Sequence, residues 1–345
     1  MKRRSFLKTV GGVASVCAIG TPHIHASESA LSASIPAPAG EMPRRELGRT
    51  GARVSVVGFP GLALSNYDQA RGTDGVHEAF DRGINYFDVA PAYGNGQCET
   101  RMGIAMQGLD RGKIFLSCKT KKRDKEGARQ ELENSLKQLK TDHFDLYQMH
   151  HLVKPEEVQK ALGPGGAIET FLKAKEEGKI KHLGFSAHTT KGALEAMRLY
   201  PKFDTVMFPI NFVEYYLKDF GKEVMELANQ QGAGLISIKP MSRGTWPQGV
   251  EHRRQWWYRA VEDDLELRLA WRFVLSQPGV ASGIPPSFLD HVGLAIHAVK
   301  DFKPITQPEI EELKRVARTT DSIFTREEAM VAMNGAHPGC PYGWA

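Results

Sequence analysis

The feature that most constrains the fold is a regular alternation of short apolar runs with longer amphipathic segments. The runs have the length of buried strands, and the segments between them carry apolar residues at helical spacing, as Leu132, Leu136 and Leu139 do within 126–140. Strands that alternate with helices in this way pair in parallel. The pattern predicts an α/β fold, a (β/α)8 TIM barrel with an N-terminal β-hairpin and a C-terminal helical extension. The eight runs lie near 54–59, 84–88, 114–119, 144–149, 181–186, 205–209, 234–239 and 280–284.

The chain has 345 residues, which on length alone would allow two domains, but a barrel of this kind with extensions forms one. We assign 44–305 to the barrel and 306–345 to C-terminal helices and a tail. Thr306 followed by Glu309 predicts a capping box at the start of the first of these helices. Residues 27–43 are rich in Ser, Ala and Pro and are expected to form a flexible lead-in.

Three successive apolar runs each deliver a polar side chain at or just beyond their carboxyl end. Asp88 ends the run 84–88 and is followed by Tyr93 in a Gly-rich turn, Lys119 ends the next run, and His150 follows the third. Each of these residues taken alone would be read as a solvated strand end. Because the carboxyl ends of parallel barrel strands meet at one face, their joint occurrence predicts an active site.

These four residues make chemical sense together. A tyrosine, with an ordinary pKa of ~10, is a poor proton donor at neutral pH unless a neighbouring cation stabilises its phenolate. Lys119 is expected to supply that charge and Asp88 to hold the lysine in place. His150 is expected to orient a carbonyl oxygen.

Longer motifs around these residues resemble the aldo-keto reductase family. They are LGRTG (47–51), FDVAPAYGNGQCE (87–99), SLKQLKTDHFDLYQMHH (135–151) and IKHLGFSAH (180–188), and the similarity covers nearly all of the chain after the first forty or so residues. The resemblance implies that Tyr93 is the general acid, that Lys119 and Asp88 tune it, and that His150 orients the carbonyl. It identifies His150, rather than the adjacent His151, as the catalytic histidine.

The same resemblance implies a nicotinamide cofactor, with NADP as the family default. Ser186, His188 and Asn211 would lie beside the nicotinamide amide, and the segment KPMSRG (239–244) would cover the pyrophosphate. The family's usual Gln in the sixth strand is replaced by Met207, which removes one amide contact. The candidate cofactor-binding residues are Ser186, His188, Asn211, Lys239, Pro240, Met241, Gly244 and Ser287.

The eighth-strand region departs from the family pattern where the adenosine end would bind. Pro286, Leu294 and Ala295 stand where relatives carry a Gly or Lys and a Glu-Asn pair, and the stretch 284–296 contains no Lys or Arg. Selection of a 2′-phosphate usually needs such a cation, so NAD remains possible. No GxGxxG motif follows a strand and opens a helix, so a Rossmann domain is not expected.

The N-terminus, MKRRSFLKTVGGVASVCAIGTPHIHA, has the layout of a secretory signal. Its apolar run of about a dozen residues is shorter than the ~20 that a spanning helix needs, so no stable membrane span is expected. Arg3 and Arg4, followed by SFLK, resemble a twin-arginine signal, which would make 1–26 a signal peptide read by the export machinery. We therefore expect a periplasmic or otherwise exported protein, the alternative being a cytoplasmic protein with a disordered basic tail.

The net charge and the cysteines argue against nucleic acid, a metal ion or an iron-sulfur cluster as a binding partner. The formal net charge is +5, but four basic residues and no acid precede Ser27, so the remainder carries about +1 and a basic nucleic-acid-binding face is not expected. After Cys17 in the signal, Cys98, Cys118 and Cys340 are odd in number and widely spaced, which predicts neither a disulfide framework nor a metal site. A single cysteine in the C-terminal tail cannot hold an iron-sulfur cluster.

The expected function is hydride transfer between a nicotinamide cofactor and an aldehyde, ketone or sugar carbonyl, or the corresponding alcohol. The alternative is a cofactor-binding, non-catalytic barrel that acts as a recognition or regulatory subunit. The stretch 246–264 brings Trp246, Trp256, Trp257 and Tyr258 close together in sequence. Such rings would suit a sugar substrate at the barrel mouth, or would pack against helices instead.

Overall fold

The computed structural model describes residues 41–252, 254–325 and 328–329. The predicted signal peptide, most of the lead-in, Cys17 and the tail with Cys340 lie outside these residues. The described chain begins with an antiparallel hairpin of strands β1 (Arg44–Glu46) and β2 (Arg53–Ser55). The predicted N-terminal hairpin is therefore present.

Eight parallel strands then form the barrel, in the sequential order β3 to β10. The two edges are joined by a parallel bridge between Val57, which lies two residues before the first strand, and Gly283 in the last strand, where Gly58 N donates to Gly283 O at 2.9 Å. This contact brings the two edges of the sheet together, and the predicted (β/α)8 fold is confirmed. The strands are β3 (Phe59–Pro60), β4 (Tyr86–Asp88), β5 (Phe115–Thr120), β6 (Phe144–Leu152), β7 (Ile180–Ala187), β8 (Thr205–Pro209), β9 (Gly234–Ile238) and β10 (Val280–Ile284).

Helices occupy the intervals between the strands. They are α1 (Gln69–Asp81), α2 (Gln97–Ala105), α3 (Lys125–Leu139), α4 (Pro155–Leu162), α5 (Ala167–Glu176), α6 (Thr190–Leu199), α7 (Phe212–Lys218), α8 (Lys222–Gln230), α9 (Asp264–Leu275), α10 (Leu289–Val299) and α11 (Gln307–Ala317). Helix α3 shows how the sequence sets them. Asp124 caps it by accepting from Gly127 N at 2.8 Å, and Leu132, Leu136 and Leu139 are buried on one face.

Two details of the sequence prediction are tested by these bounds. The run 54–59 was expected to be one strand, but it contains the end of β2 and the start of β3, which belong to different sheets. Its mostly apolar composition hides the change of sheet, so that prediction was wrong. The capping box at α11 is confirmed, because Glu309 accepts from Thr306 N at 2.8 Å.

The hairpin closes the end of the barrel opposite the strands' carboxyl ends. Leu47 and Val54, both fully buried, share a hydrophobic cluster with residues from the strands, including Tyr86 and Met207. This cluster is separate from the one between strands and helices, so it fills the barrel interior. The approach is close, because a Cβ on Gly234 would lie 2.7 Å from the carbonyl carbon of Leu47.

Neither membrane-spanning helices nor metal clusters occur in the part of the chain that the structure describes. No described helix combines the length and apolarity needed to cross a bilayer. Within the same residues, no three His, Cys, Asp or Glu side chains are placed to hold a metal ion together.

One buried acid couples the fold to pH. Glu99, in α2, is 3 % exposed and accepts from the Cys118 thiol of β5 at 3.5 Å. Burial raises the pKa of Glu99 to about 7, although the hydrogen bonds from Ser135 and Cys118 oppose the shift. The folded protein therefore keeps a proton on this group at pH values where the unfolded chain, with an ordinary pKa of ~4.3, has lost it.

Replacing Glu99 with Gln should make stability less dependent on pH. The contribution of the protonated carboxyl is full below its unfolded pKa and is lost as pH rises through about 7. We expect the free energy of unfolding of wild type to fall between pH 5 and 8 by about 2–3 kcal/mol more than that of Glu99→Gln. Denaturant melts at both pH values measure this. Glu226→Gln, at an exposed position on α8, is the control, and equal pH dependence in all three proteins would contradict the assignment.

Candidate active site

The carboxyl ends of β4, β5 and β6 bring the four predicted catalytic residues together. Asp88 is the last residue of β4, and Lys119 and His150 lie near the ends of β5 and β6. Tyr93 stands in a short 3-10 turn (Tyr93–Gly96) that follows β4. The three strands are neighbours, so adjacency in sequence becomes adjacency in space.

Direct contacts link Asp88, Lys119 and Tyr93. The Lys119 ammonium forms an ion pair with the Asp88 carboxylate, and both side chains are almost fully buried. Lys119 Nζ also donates to the Tyr93 hydroxyl oxygen at 3.1 Å. Because the tyrosine oxygen accepts from the lysine, its own hydrogen is left to donate elsewhere.

The charge states differ in part from the sequence expectation. Burial lowers the pKa of Lys119, but the interactions with Asp88 and Tyr93 together more than offset it, so the pKa is raised and the lysine is protonated. Lys119 was expected to bring the pKa of Tyr93 down. Burial dominates there instead, and the pKa of Tyr93 is raised even though the lysine charge opposes the shift. Tyr93 is therefore a protonated donor at neutral pH.

His150 packs against Tyr93 as a neutral ring. The two rings meet edge to face with centroids 5.6 Å apart. Burial, and then the Lys119 charge, hold the pKa of His150 well below its ordinary value. Its Nδ1 is buried and has no hydrogen-bond partner among the described residues. A neutral imidazole keeps one N–H, which suits it to orient a carbonyl oxygen without supplying charge.

Arg123 is a structural residue of this site that the sequence did not reveal. Its Nη2 donates to the backbone carbonyl oxygens of His150 and His151, at 2.8 and 3.2 Å. At this point β6 leaves regular register, and His151 has φ 59°. The guanidinium therefore stabilises a left-handed turn that a non-glycine residue adopts only at some cost. The only sequence signal was its position just after β5.

Ser186 and Asn211 fit the amide end of a nicotinamide. Ser186 is 2 % exposed at the end of β7, and its oxygen accepts from His151 N at 2.8 Å, which leaves its own hydrogen free to donate. Asn211 follows β8, where its Oδ1 caps α7, and its Nδ2 is buried without a partner in the described chain. Two donors at adjacent strand ends match the needs of a carboxamide oxygen. Met207, where the family has Gln, lies in the interior cluster.

The other predicted cofactor residues lie in different surroundings. His188 contacts His151, with ring centroids 4.2 Å apart, and lies 3.5 Å from Lys239 Nζ. Burial, and then the Lys239 charge, lower the pKa of His188 well below its ordinary value. Ser287 is buried beyond β10, and its carbonyl accepts from Asn66 at 2.8 Å.

The segment 239–244 is partly packed away from the mouth. Met241 is fully buried in the cluster between strands and helices, and Pro240 is buried as well. Gly244 has φ 87° and lies so close to Thr320 that a Cβ would be 2.3 Å from its hydroxyl oxygen. Lys239, with φ 60°, presents its ammonium to the rings of Trp257 and Phe324, at 5.3 and 5.4 Å from their centroids.

A groove of about 420 Å³ runs from the segment after β9 to α10. Arg254 enters it from the aromatic stretch 246–264, stacks on Phe288 at 4.8 Å and pairs with Asp290 and Glu262. The sequence had shown no cation in the stretch 284–296, and this arginine reaches it from another loop. Neighbouring aromatic residues of this stretch lie in different places: Trp257 contacts the Lys239 ammonium, whereas Trp256 packs on Phe288.

Comparison with known proteins identifies the family. The model of the aldo/keto reductase family matches residues 61–256, more than half of the chain. The chain belongs to the aldo/keto reductase family. Membership places it among the oxidoreductases that exchange hydride between a nicotinamide cofactor and a carbonyl compound.

The relatives are distant but similar in structure. Over 307 residues the chain is 25 % identical to the uncharacterized oxidoreductase YqkF of Bacillus subtilis, covering 79 % of this chain and 96 % of that one. It is 27 % identical to the probable aldo-keto reductase 1 of Glycine max, of which it spans only 59 %, through 58 % of its own length. Aldo-keto reductase AKR11C1 from Bacillus halodurans, in its holo form, matches 84 % of this chain and 100 % of its own, at 25 % identity and a TM-score of 0.64.

Proposed function

We propose that this chain reduces the carbonyl group of an aldehyde, ketone or sugar, with Tyr93 as the general acid. The observation that carries the proposal is the 3.1 Å contact from Lys119 Nζ to the Tyr93 oxygen, with Asp88 paired to the same ammonium. It sets a protonated phenol beside a neutral histidine at the barrel mouth.

The mechanism follows from this geometry. When bound, a nicotinamide cofactor would supply the hydride for the carbonyl carbon. His150 donates an N–H to the carbonyl oxygen and orients it. Tyr93 transfers its proton to that oxygen as negative charge develops there, and the Lys119 ammonium stabilises the phenolate left behind. Asp88 keeps the lysine charged and fixed.

Ser186 and Asn211 would hold the nicotinamide amide, and the groove beside α10 would take the adenosine end of the cofactor. We propose that the groove selects only weakly between NADP and NAD. Arg243, Arg254 and Arg259 line it, but so do Glu251, Glu262, Asp263 and Glu266. Arg254 is already paired with two carboxylates, so a 2′-phosphate would have to displace them.

We also propose that the protein is exported by a twin-arginine signal and carries its cofactor with it. The layout of residues 1–26 supports export. Free nicotinamide nucleotides are cytoplasmic, so an exported reductase would have no supply to exchange with, and this is the reason for proposing that the cofactor is retained. A protein exported after folding could retain the nucleotide and use one substrate to reduce it and another to oxidise it.

Replacing Tyr93 with Phe should abolish most turnover. The proton donor is lost while the cofactor contacts stay, so we expect kcat for carbonyl reduction to fall by ~10²–10⁴-fold at unchanged cofactor affinity. The change in nicotinamide absorbance measures kcat, and fluorescence titration measures the affinity for the cofactor. Tyr216→Phe, on α7, is the control. Full activity of Tyr93→Phe would contradict the mechanism, and cofactor binding by wild type with no turnover on any carbonyl would favour the non-catalytic alternative.

The affinities for NADPH and NADH should differ by less than about tenfold. A dedicated charged hydrogen bond to the 2′-phosphate is worth ~1.5–3 kcal/mol, equivalent to more than tenfold, and the paired Arg254 does not offer one. Titration of the nucleotide-free protein with both forms, in wild type and Arg254→Gln, tests this. A hundredfold preference for NADPH that disappears in Arg254→Gln would show that this arginine binds the phosphate.

Export should depend on Arg3 and Arg4. We expect the wild-type chain to appear in the exported fraction with about one nucleotide per chain, released by denaturation and identified by mass spectrometry. Replacing both arginines with Lys should retain the protein, still loaded, in the cytoplasm. Nucleotide-free protein that is active in the exported fraction would contradict retention, and unaltered export of the double variant would contradict the twin-arginine assignment.

A further inference from the structure

The segment Thr320–Phe324, called the strap below, crosses the face of the barrel that carries the active site. It follows α11 and is tied to the segments that follow β7, β8 and β9. On the β9 side, Gly244 lies against Thr320, and Thr245 N donates to the carbonyl of Asp321 at 3.1 Å. On the β7 side, Glu328, just beyond the strap, accepts from Thr190 N at 2.6 Å.

Glu214 holds the middle of the strap to the barrel. It follows β8 within α7, is fully buried, and accepts from the Ser322 hydroxyl and from Ile323 N, the latter at 2.9 Å. Two donors from the strap converge on one carboxylate. Burial raises the pKa of Glu214, with these two hydrogen bonds opposing the shift.

The hydrogen bonds from Ser322 and Ile323 to Glu214 hold the next residue, Phe324, at the mouth of the barrel. Phe324 is fully buried, stacks on Phe220 with centroids 5.0 Å apart, and lies 6.0 Å from the His188 ring. Together with Trp257 it covers the Lys239 ammonium. Lys239 opens the segment that would lie along the diphosphate of the cofactor, so an anion bound there would lie beneath the two rings.

We propose that Glu214 is a positioning residue that fastens the strap over the cofactor and so limits the rate at which the nucleotide enters and leaves. The inference rests on the proposed function, because it concerns the same cofactor. It assigns the slow step of nucleotide exchange to the opening of the strap rather than to contacts with the nucleotide itself. The strap is tied on the β7–β9 side, away from the Tyr93 and His150 side.

The test is the dissociation rate of NADPH from the full chain, followed by nicotinamide fluorescence after mixing with excess NADP⁺. We expect Phe324→Ala and Glu214→Gln to release NADPH at least tenfold faster. Ser322→Ala should release it about fivefold faster, because it loses the hydrogen bond to Glu214 and the one that Ser322 Oγ accepts from Phe324 N, and leaves the carboxylate one donor. The association rate should rise in parallel, so that the Kd changes less than the dissociation rate does. Glu312→Gln, an exposed acid on α11 that pairs with Arg315, is the control and should leave both rates unchanged.

The outcomes are distinguishable. If wild type binds NADPH and the three strap variants release it at the wild-type rate, the strap inference is wrong and the proposed function stands. If the variants release NADPH faster but bind it at the wild-type association rate, the strap does not control entry of the nucleotide, and the inference is also wrong. If wild type binds no nicotinamide nucleotide, both the inference and the proposed function fail. Ser322→Ala leaves the buried Glu214 side chain in place, so it decides the question even if Glu214→Gln does not fold.

Discussion

The buried ion pair between Lys119 and Asp88 is the interaction on which the rest of this site depends. Removing one partner of such a pair leaves an uncompensated charge and costs about 3–5 kcal/mol. The barrel sets its geometry through strand register, because Asp88 pairs with Ser117 and Lys119 lies two residues farther on the same face of β5. In this register the Lys119 ammonium contacts the Asp88 carboxylate and the Tyr93 hydroxyl. Strand pairing thus decides which oxygen the ammonium stabilises.

The two ends of the barrel divide the work. At the end closed by the hairpin the interior is apolar, and Met207 extends this apolar filling to a position where the family resemblance implies a Gln. At the other end the strands place the ionisable groups Asp88, Lys119 and His150 in surroundings where each side chain is almost fully buried. This explains why burial is the largest influence on the pKa of Tyr93 and of His150: it outweighs the opposing Lys119 charge at Tyr93 and acts in the same direction as that charge at His150. It also leaves Ser186 and Asn211 as the pair that we propose for the nicotinamide amide.

The sequence predicted the barrel and the tetrad because both are encoded locally. Each of the four candidate catalytic side chains ends or follows an apolar run, with Asp88 and Tyr93 sharing the first. The three runs are consecutive, so order along the chain is enough to bring the side chains together. Arg254 and Asp290, 36 residues apart, and Glu214 and Ser322, 108 residues apart, have no such local pattern. The pKa of Tyr93 was missed for a different reason: its sign depends on the depth of burial relative to one charge, which residue types alone do not give.

If the proposed function holds, the arrangement of the mouth bears on how an exported reductase could work without a supply of free cofactor. Such an enzyme must hold both redox forms of its nucleotide while two substrates enter and leave in turn. The described strap contacts lie on the β7–β9 side, and the proton donor and the carbonyl-orienting histidine lie on the β4–β6 side. Cofactor exchange and substrate exchange would then use different sides of one opening. A tight strap would slow the first without obstructing the second, which is the condition that a closed redox cycle requires.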